Sequence, residues 1–473
     1  MHGTNPLEIP ELIRRISRYV TKNDATACAR VCKAWSEHFV SAIWHTIDFD
    51  VNINFHQMNT KVLARHGHHI RIVKNMTEHD HIWLLTIANA NKLKELAVRM
   101  MPSQEFYALF SDLLRRVNTS LKHIDIFQPY MDAVPYFAVD SLFPTTSTGR
   151  SSKLSDITIG GLVMTRDALS SLLEHCPLLN KLDIRDTTLL CWPTYDSSTA
   201  HYFQHTGVKE FTAPVEQIFM MDQNYRNTPS LFVHFPNLEL WVAWNSDEHV
   251  DISIKVIRDE IARHCPSLKE LCLETRPSVG IGMLTQALKN LTSIYILNDH
   301  LSAEMVMAIL NHQETLIEVG TFIAEDRSEL EVVPEVESHQ LDTSGWIVQS
   351  LPRRCTRLKI MDLTSLEMDM DDIEMTDWGC HDLEELSIRV KGLDTKGKID
   401  RAIQLWKEGR ITIREKQLMD VQMASSSTNP QLESIILAGD NSIEARVAKH
   451  LLKFKKLREV WLGWKVRRVR TQE

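Results

Sequence analysis

Cysteine, long apolar runs and surplus positive charge are all scarce in this sequence. Only eight of the 473 residues are cysteine, without a repeated spacing, so we expect reduced, buried thiols and no disulfide scaffold. No run approaches the roughly 18 to 20 apolar residues of a membrane span. The opening MHGTNPLEIPELIRRISRYV lacks the continuous apolar core of a secretory signal. The net charge of -9 argues against general binding of nucleic acid or anionic membranes. We therefore expect a soluble protein of the cytoplasm or nucleus.

The motifs of common catalytic sites are also missing. We find no G-x-x-x-x-G-K-[ST] phosphate loop, no H-E-x-x-H pair and no G-x-S-x-G elbow. The histidines of HGHHI and EHDHIW lack zinc spacing, and we expect them to be solvent-exposed. The acidic run at 366–386 lacks the glycine position and ligand order of a calcium loop, which favours a solvated acidic face. We expect no enzymatic activity, no metal and no cofactor.

The N-terminal residues carry more apolar side chain than about 45 residues can bury among themselves. Pro10 and Glu11 suit the first turn of a helix, and Asp24 suits the cap of the next one. Helical spacing puts one apolar set on one face of the first helix: Leu12, Ile13, Ile16, Tyr19 and Val20. It puts a second set on one face of the next helix: Cys28, Val31, Cys32, Trp35 and Phe39. Two or three short helices are predicted, and their excess apolar surface must face another surface.

These helices resemble an F-box, through PELIRRISRYV, DATACARVCKAW and AIWHTIDF. The resemblance implies a three-helix fold that docks on a Skp-type adaptor and thereby on a cullin–RING ubiquitin ligase. The family's Leu-Pro opening pair is missing; if Glu11 and Leu12 align with the family's Glu-Leu, Glu8 and Ile9 hold its positions. By resemblance, the adaptor-binding residues are Ile9, Pro10, Leu12, Ile13, Ile16, Val31, Trp35 and Trp44. The alternative is a helical cap alone, because repeat arrays need atypical end units.

The rest of the chain repeats the frame L-x-x-L-x-L, with apolar substitutions. Helical patterns such as DALSSLLEHCP separate the frames, and most intervals lie in or near the 20 to 29 residues of leucine-rich repeats. A strand and a helix of this size cannot bury their apolar faces alone, so stacked repeats are expected. The copies start at Leu93, Leu121, Leu154, Leu179, Val208, Leu238, Leu268, Leu291, Leu316, Leu358, Leu383, Leu432 and Leu457.

Together these patterns predict an α/β fold: an N-terminal three-helix F-box followed by a curved leucine-rich-repeat solenoid. Short parallel strands would line its concave side and helices its convex side. The predicted boundaries are 1–50 for the F-box, 51–85 for a linker or first cap of the solenoid, and 86–473 for the repeats. Insertions are expected near 324–345 and 392–430.

The concave sheet is the predicted substrate surface. Frame residues point inward, so strand alternation turns the third, fifth and seventh positions outward. Exposed aromatic residues on one face indicate binding, and arginines beside them suit an acidic or phosphorylated segment. The predicted substrate-binding residues are Phe127, Trp244, Tyr295, Phe322, Trp461, Arg99, Arg185 and Arg389. Two alternatives remain open: loops or the C-terminal tail cover these residues, or the inserted loops bind the substrate.

The function expected from both parts is a non-catalytic substrate-recognition adaptor of a cullin–RING ubiquitin ligase. Its expected partners are a Skp-type adaptor, through it the ligase, and an unknown protein substrate. A leucine-rich-repeat scaffold with a helical cap and no ligase connection is the alternative.

Overall fold

The computed structural model describes most of the chain in two compact units, Met1–Leu238 and Glu239–Glu473. The residues that it describes are 9–50, 59–99, 103–128, 152–185, 187–190, 203–214, 218, 230–244, 254–274, 285–286, 288–297, 303–322, 345–422 and 441–462.

The first unit opens with three short helices. They are α1 Pro10–Ile16, α2 Lys22–Ala29 and α3 Lys33–His45. Pro10 begins α1, where its missing N–H costs no hydrogen bond, and the side chain of Thr21 caps α2 by accepting from the Asp24 N–H. Ile13, Ala25 and Phe39, one from each helix, form the buried centre of the group.

A parallel sheet follows, with its strands in chain order. Its members are β1 Thr46–Asp48, β2 Ile72–Met76, β3 Glu95–Arg99, β4 His123–Phe127, β5 Asp156–Gly160, β7 Lys181–Asp183 and β9 Glu210–Pro214. Two further strands, β6 Val163–Thr165 and β8 Thr188–Leu190, pair separately. The helices between strands are α4 Thr60–His66, α5 His79–Ile87, α6 Gln104–Val117 and α7 Arg166–His175, with 3-10 turns at Gly67–His69 and Leu231–His234.

The sheet begins at Thr46, earlier than the expected start of the repeats near residue 86. Residues 51–85, predicted as a linker or cap, contribute β2 to it. Ile70, Val73 and Met76 are fully buried, but the last two are three residues apart, where the frame has two. The strand pairing shifts at this extra residue, and Asn75 takes a positive φ of 55°. This bulge hid the repeat from the sequence pattern.

The second unit also contains parallel strands that pair in chain order. Its strands are β10 Leu240–Trp244, β11 Glu270–Glu274, β12 Ser293–Leu297, β13 Glu318–Phe322, β14 Ile360–Met368, β15 Glu385–Val390 and β16 Glu459–Leu462. The helices are α8 Ile254–His264, α9 Ala303–Leu310, α10 Gly345–Val348, α11 Ser350–Arg354, α12 Met370–Met375, α13 Lys396–Gln422 and α14 Ile443–Leu451. The predicted insertion at 392–430 thus contains α13, whereas that at 324–345 lies almost wholly outside the described residues.

The frame residues pack inward as expected. The copy at Leu432 lies outside the described residues, and in every other copy the first position is buried. These buried residues are Leu93, Leu121, Leu154, Leu179, Val208, Leu238, Leu268, Leu291, Leu316, Leu358, Leu383 and Leu457. Stacking therefore removes from water the apolar face that a single repeat cannot cover.

Buried histidines connect neighbouring segments through backbone carbonyls. Nε2 of His205 donates to Cys176 O at 2.9 Å, Nδ1 of His234 to Phe203 O at 2.7 Å, and Nε2 of His312 to Thr285 O at 2.7 Å. Burial lowers the pKa of His234 to about 4, outweighing the hydrogen bond to Phe203, which raises it. Burial also lowers the pKa of His312, so His234 and His312 are neutral donors at neutral pH.

The first prediction compares two adjacent leucines. Leu179 is fully buried in its frame, whereas Leu178 is 60% exposed. Leu179→Ala should lower the free energy of unfolding by about 2–5 kcal/mol, because it removes buried methyl groups and leaves a cavity. Leu178→Ala should change it by less than about 0.5 kcal/mol. Urea unfolding monitored by circular dichroism measures both, and equal losses would contradict the predicted packing.

The second prediction concerns His450 in α14. Burial, with a smaller contribution from Lys453, lowers its pKa to about 3, and neither ring nitrogen has a hydrogen-bond partner among the described residues. Below pH ~6.5 the unfolded chain binds a proton that the folded chain excludes, so stability falls as the pH falls. His450→Leu should remove about 2 kcal/mol of the loss between pH 6.5 and pH 5. The exposed His381→Leu is the control in thermal melts, and parallel pH profiles of His450→Leu and the unmodified protein would refute this account.

Candidate protein-interaction surfaces

Helix α1 divides its apolar side chains between two faces. Ile13 is 2% exposed and lies inside the three-helix group. Leu12 and Ile16, one helical turn apart, are 40% and 41% exposed, and Tyr19 in the following turn is 80% exposed. We call Leu12, Ile16 and Tyr19 the α1 stripe. It is an apolar surface that the helices do not cover.

The predicted adaptor-binding residues fall into two groups, one accessible to a partner and one packed among the helices. Pro10 and Val31 are exposed and Ile9 is half-buried, so these remain available to a partner. Ile13 is buried, and Trp35 is half-buried against the same core, with its ring 5.5 Å from that of Phe39. Placing Ile13 at a partner surface was therefore wrong, because packing among the helices uses that side chain.

Trp44 is also buried, for a different reason. Trp44, Ile47 and Phe49 have the spacing of the repeat frame and are each less than 9% exposed. The Trp44 ring stacks on His66 at a centroid distance of 5.5 Å. Trp44 is thus the first frame position of the first repeat, and its assignment to the adaptor surface was wrong. Tyr19 was missed as a site residue although it continues the spacing of Leu12 and Ile16.

On the outward face of the first unit, Arg99, Phe127 and Gly160 are register partners on three adjacent strands. A Cβ atom at Gly160 would come within 2.8 Å of Phe127 Cδ2, so glycine is needed for the ring to lie there. Phe127 is 41% exposed, as predicted for an outward aromatic residue.

The charges around Phe127 are largely compensated. Arg185 donates from Nε and Nη2 to Asp183 Oδ2 at 3.0 and 2.7 Å. Desolvation and the neighbouring Asp183 raise the pKa of Asp125, whereas Arg185 and Arg99 lower it. A contact between His123 and Asp156 and an ion pair between Lys181 and Glu210 also bridge neighbouring strands. Arg185 is therefore engaged within the chain, and Arg99 is the exposed arginine of this face.

On the second unit, Tyr295 and Trp461 occupy register-related outward positions, and Trp461 is 46% exposed. Arg389 lies 3.8 Å from Glu367. The side chains of Trp244 and Phe322 lie outside the described residues. Trp241, on the same strand as Trp244, is buried.

The histidine and acidic motifs have structural roles. His81, expected to be exposed, is 4% exposed, and its Nδ1 accepts from the N–H groups of Thr77 and Glu78 at the start of α5. In the acidic run, Asp371 and Glu374 both pair with Arg446. The described part of the chain holds no group of three or more side chains arranged to bind a metal. It also holds no helix with the length and apolarity needed to cross a membrane.

No protein-family model matches this sequence, and a comparison with curated proteins finds no match.

The third prediction tests the division of α1. Ile13→Ala should lower the free energy of unfolding of the helical group by about 2–5 kcal/mol, because Ile13 is at its centre. Ile16→Ala, in the exposed α1 stripe, should cost less than about 1 kcal/mol. Hydrogen exchange of residues 10–45 measures the local stability of both variants. Equal protection in the two variants would contradict the assignment of the faces.

Proposed function

We propose that this chain is a substrate-recognition adaptor of a cullin–RING ubiquitin ligase. In this proposal the N-terminal helices form an F-box that docks on a Skp-type adaptor, and the repeats bind a protein substrate. The ligase would supply the chemistry, and this chain would supply no reacting group and no cofactor.

The observation that carries the proposal is the α1 stripe. Its three side chains stay exposed although Ile13, in the same helix, is buried. Full burial of a large apolar side chain contributes roughly 1.5–3 kcal/mol, so covering the stripe would supply a useful part of a docking energy. The F-box resemblance of the surrounding sequence names the kind of partner that would cover it.

A second function, a repeat scaffold with a helical cap, is favoured by one observation. Helix α3 ends at His45 and β1 begins at Thr46, and β1 pairs with β2 in the register Thr46↔Ile72. The helices are thus attached directly to the first edge of the sheet, as a cap would be. Capture of a Skp-type adaptor distinguishes the two functions.

The fourth prediction concerns this capture. The double variant Leu12→Glu, Ile16→Glu should lose binding to a Skp-type adaptor by at least about a hundredfold, because two carboxylates would be buried without partners. Val62→Glu in α4 is the matched control, since Val62 is 43% exposed and lies outside the stripe. Binding is measured with the purified chain and adaptor by interferometry.

Thermal melts accompany the measurement and establish that both variants fold. An unmodified chain that does not bind the adaptor would support the scaffold function. Adaptor binding that survives the double substitution would exclude the α1 stripe as the docking surface.

A further inference from the structure

The outward face of β11 to β16 carries a row of glutamates. The residues Glu270, Ser293, Glu318, Ile360, Glu385 and Glu459 are register partners on successive strands. The next outward row holds Cys272, Tyr295, Gly320, Asp362, Ser387 and Trp461. On these strands, the outward side chains that the structure describes include a single positively charged one, Arg389. It faces Glu367. This face is therefore acidic, unlike the face around Phe127, where acids and bases are paired.

Two of the glutamates orient aromatic rings. Tyr295 Oη donates to Glu318 Oε2 at 2.6 Å, and Trp461 Nε1 donates to Glu459 Oε1 at 2.6 Å. A Cβ atom at Gly320 would lie 2.8 Å from two ring carbons of Tyr295, so this ring lies against the backbone of β13. An aromatic face held beside a carboxylate suits a Lys or Arg side chain, through cation–π attraction and an ion pair.

Two adjacent glutamates at the start of β15, Glu384 and Glu385, differ in their contacts with nearby cations. Glu384 lies 3.5 Å from Lys359 Nζ and 3.7 Å from Arg458 Nη1. Glu385, the next residue, turns to the outward face and forms no ion pair with the described residues. The basic side chains at the beginning of these strands therefore neutralise the sheet edge, and Glu318, Glu385 and Glu459 have no ion pair with the described residues.

We propose that this face binds an extended, basic peptide segment of a partner protein. Tyr295 and Trp461 are four strand intervals apart in register, about 19 Å at ~4.8 Å per strand. An extended peptide covers that distance with about six residues. Its Lys or Arg side chains would contact the two aromatic–carboxylate pairs and Glu385. The inference rests on the proposed function in one respect, that this partner is the ubiquitination substrate.

The proposed occupant differs from the acidic or phosphorylated segment expected from the sequence. That expectation depended on Arg99, Arg185 and Arg389. Arg185 binds Asp183 and Arg389 faces Glu367, so two of the three are compensated within the chain. Charge complementarity on the second unit favours a basic segment.

The fifth prediction uses a fluorescein-labelled peptide of about ten residues in which arginine and valine alternate, so that an extended chain presents all its arginines on one side. Fluorescence anisotropy measures its affinity for the purified full chain at low and high salt. The triple variant Glu318→Gln, Glu385→Gln, Glu459→Gln should bind at least about tenfold more weakly, because three charge-assisted contacts are lost. Trp461→Ala should also weaken binding. The control Glu384→Gln should bind within about twofold of the unmodified chain, because Glu384 faces the edge cations.

A peptide with glutamate in place of arginine should not bind. Equal affinity for both peptides, or an unchanged affinity in the triple variant, overturns the proposal. The chain's own Lys465, Arg467, Arg468 and Arg470 are a competing source of cations. If the arginine peptide binds only after these four are changed to glutamine, the occupant is this chain's own tail and the foreign partner is excluded.

Adaptor capture is measured on the same preparations, with thermal melts as the folding control. Loss of peptide binding with intact adaptor capture contradicts this inference alone. Peptide binding without adaptor capture contradicts the proposed ligase function alone.

Discussion

A parallel strand with one apolar face cannot be stable alone, and each repeat in this chain satisfies that constraint by stacking on the next. The first frame position is buried in every described copy, from Leu93 to Leu457. Neighbouring strands lie about 4.8 Å apart, so inward side chains must pack closely, whereas outward ones need not. The sequence of the outward positions is therefore free to specify a partner. The two units use this freedom differently, one with compensated charges and one with a surplus of glutamate.

The same constraint explains the N-terminal helices. Trp44 both ends the helical group and begins the first frame, so the group cannot move independently of the sheet edge without exposing a buried indole. Ile13 and Phe39 hold the helices together, and the α1 stripe stays exposed to a partner. A docking surface attached rigidly to a repeat array positions whatever the array binds, which is what a substrate adaptor requires.

The sequence predicted the α/β class, the inward frame and two or three short N-terminal helices, because each depends on a periodic pattern. It did not predict the repeat at Ile70, Val73 and Met76, where one extra residue breaks the period and a bulge restores inward packing. It also placed Ile13 on a partner surface. In this helix of seven residues, Ile13 lies only about 60° around the axis from Ile16, so helical spacing does not separate the core from the interface. Only the packing of α1 against the other helices makes that distinction.

The outward aromatic residues depend on neighbours that are distant in the sequence. Phe127 requires Gly160, and Tyr295 requires Gly320, because a Cβ atom on the adjacent strand would collide with either ring. The carboxylates of Glu318 and Glu459 then fix the ring edges on the second unit. Each ring–glycine pair can be recognised only once the strand register is known, because its two residues belong to consecutive repeats, as Tyr295 and Gly320 do. An aromatic residue facing a glycine one repeat later is therefore a pattern that a frame alignment can detect. It marks a ring that packs against the backbone of the neighbouring strand, so that little rotamer freedom remains to be lost on binding a ligand.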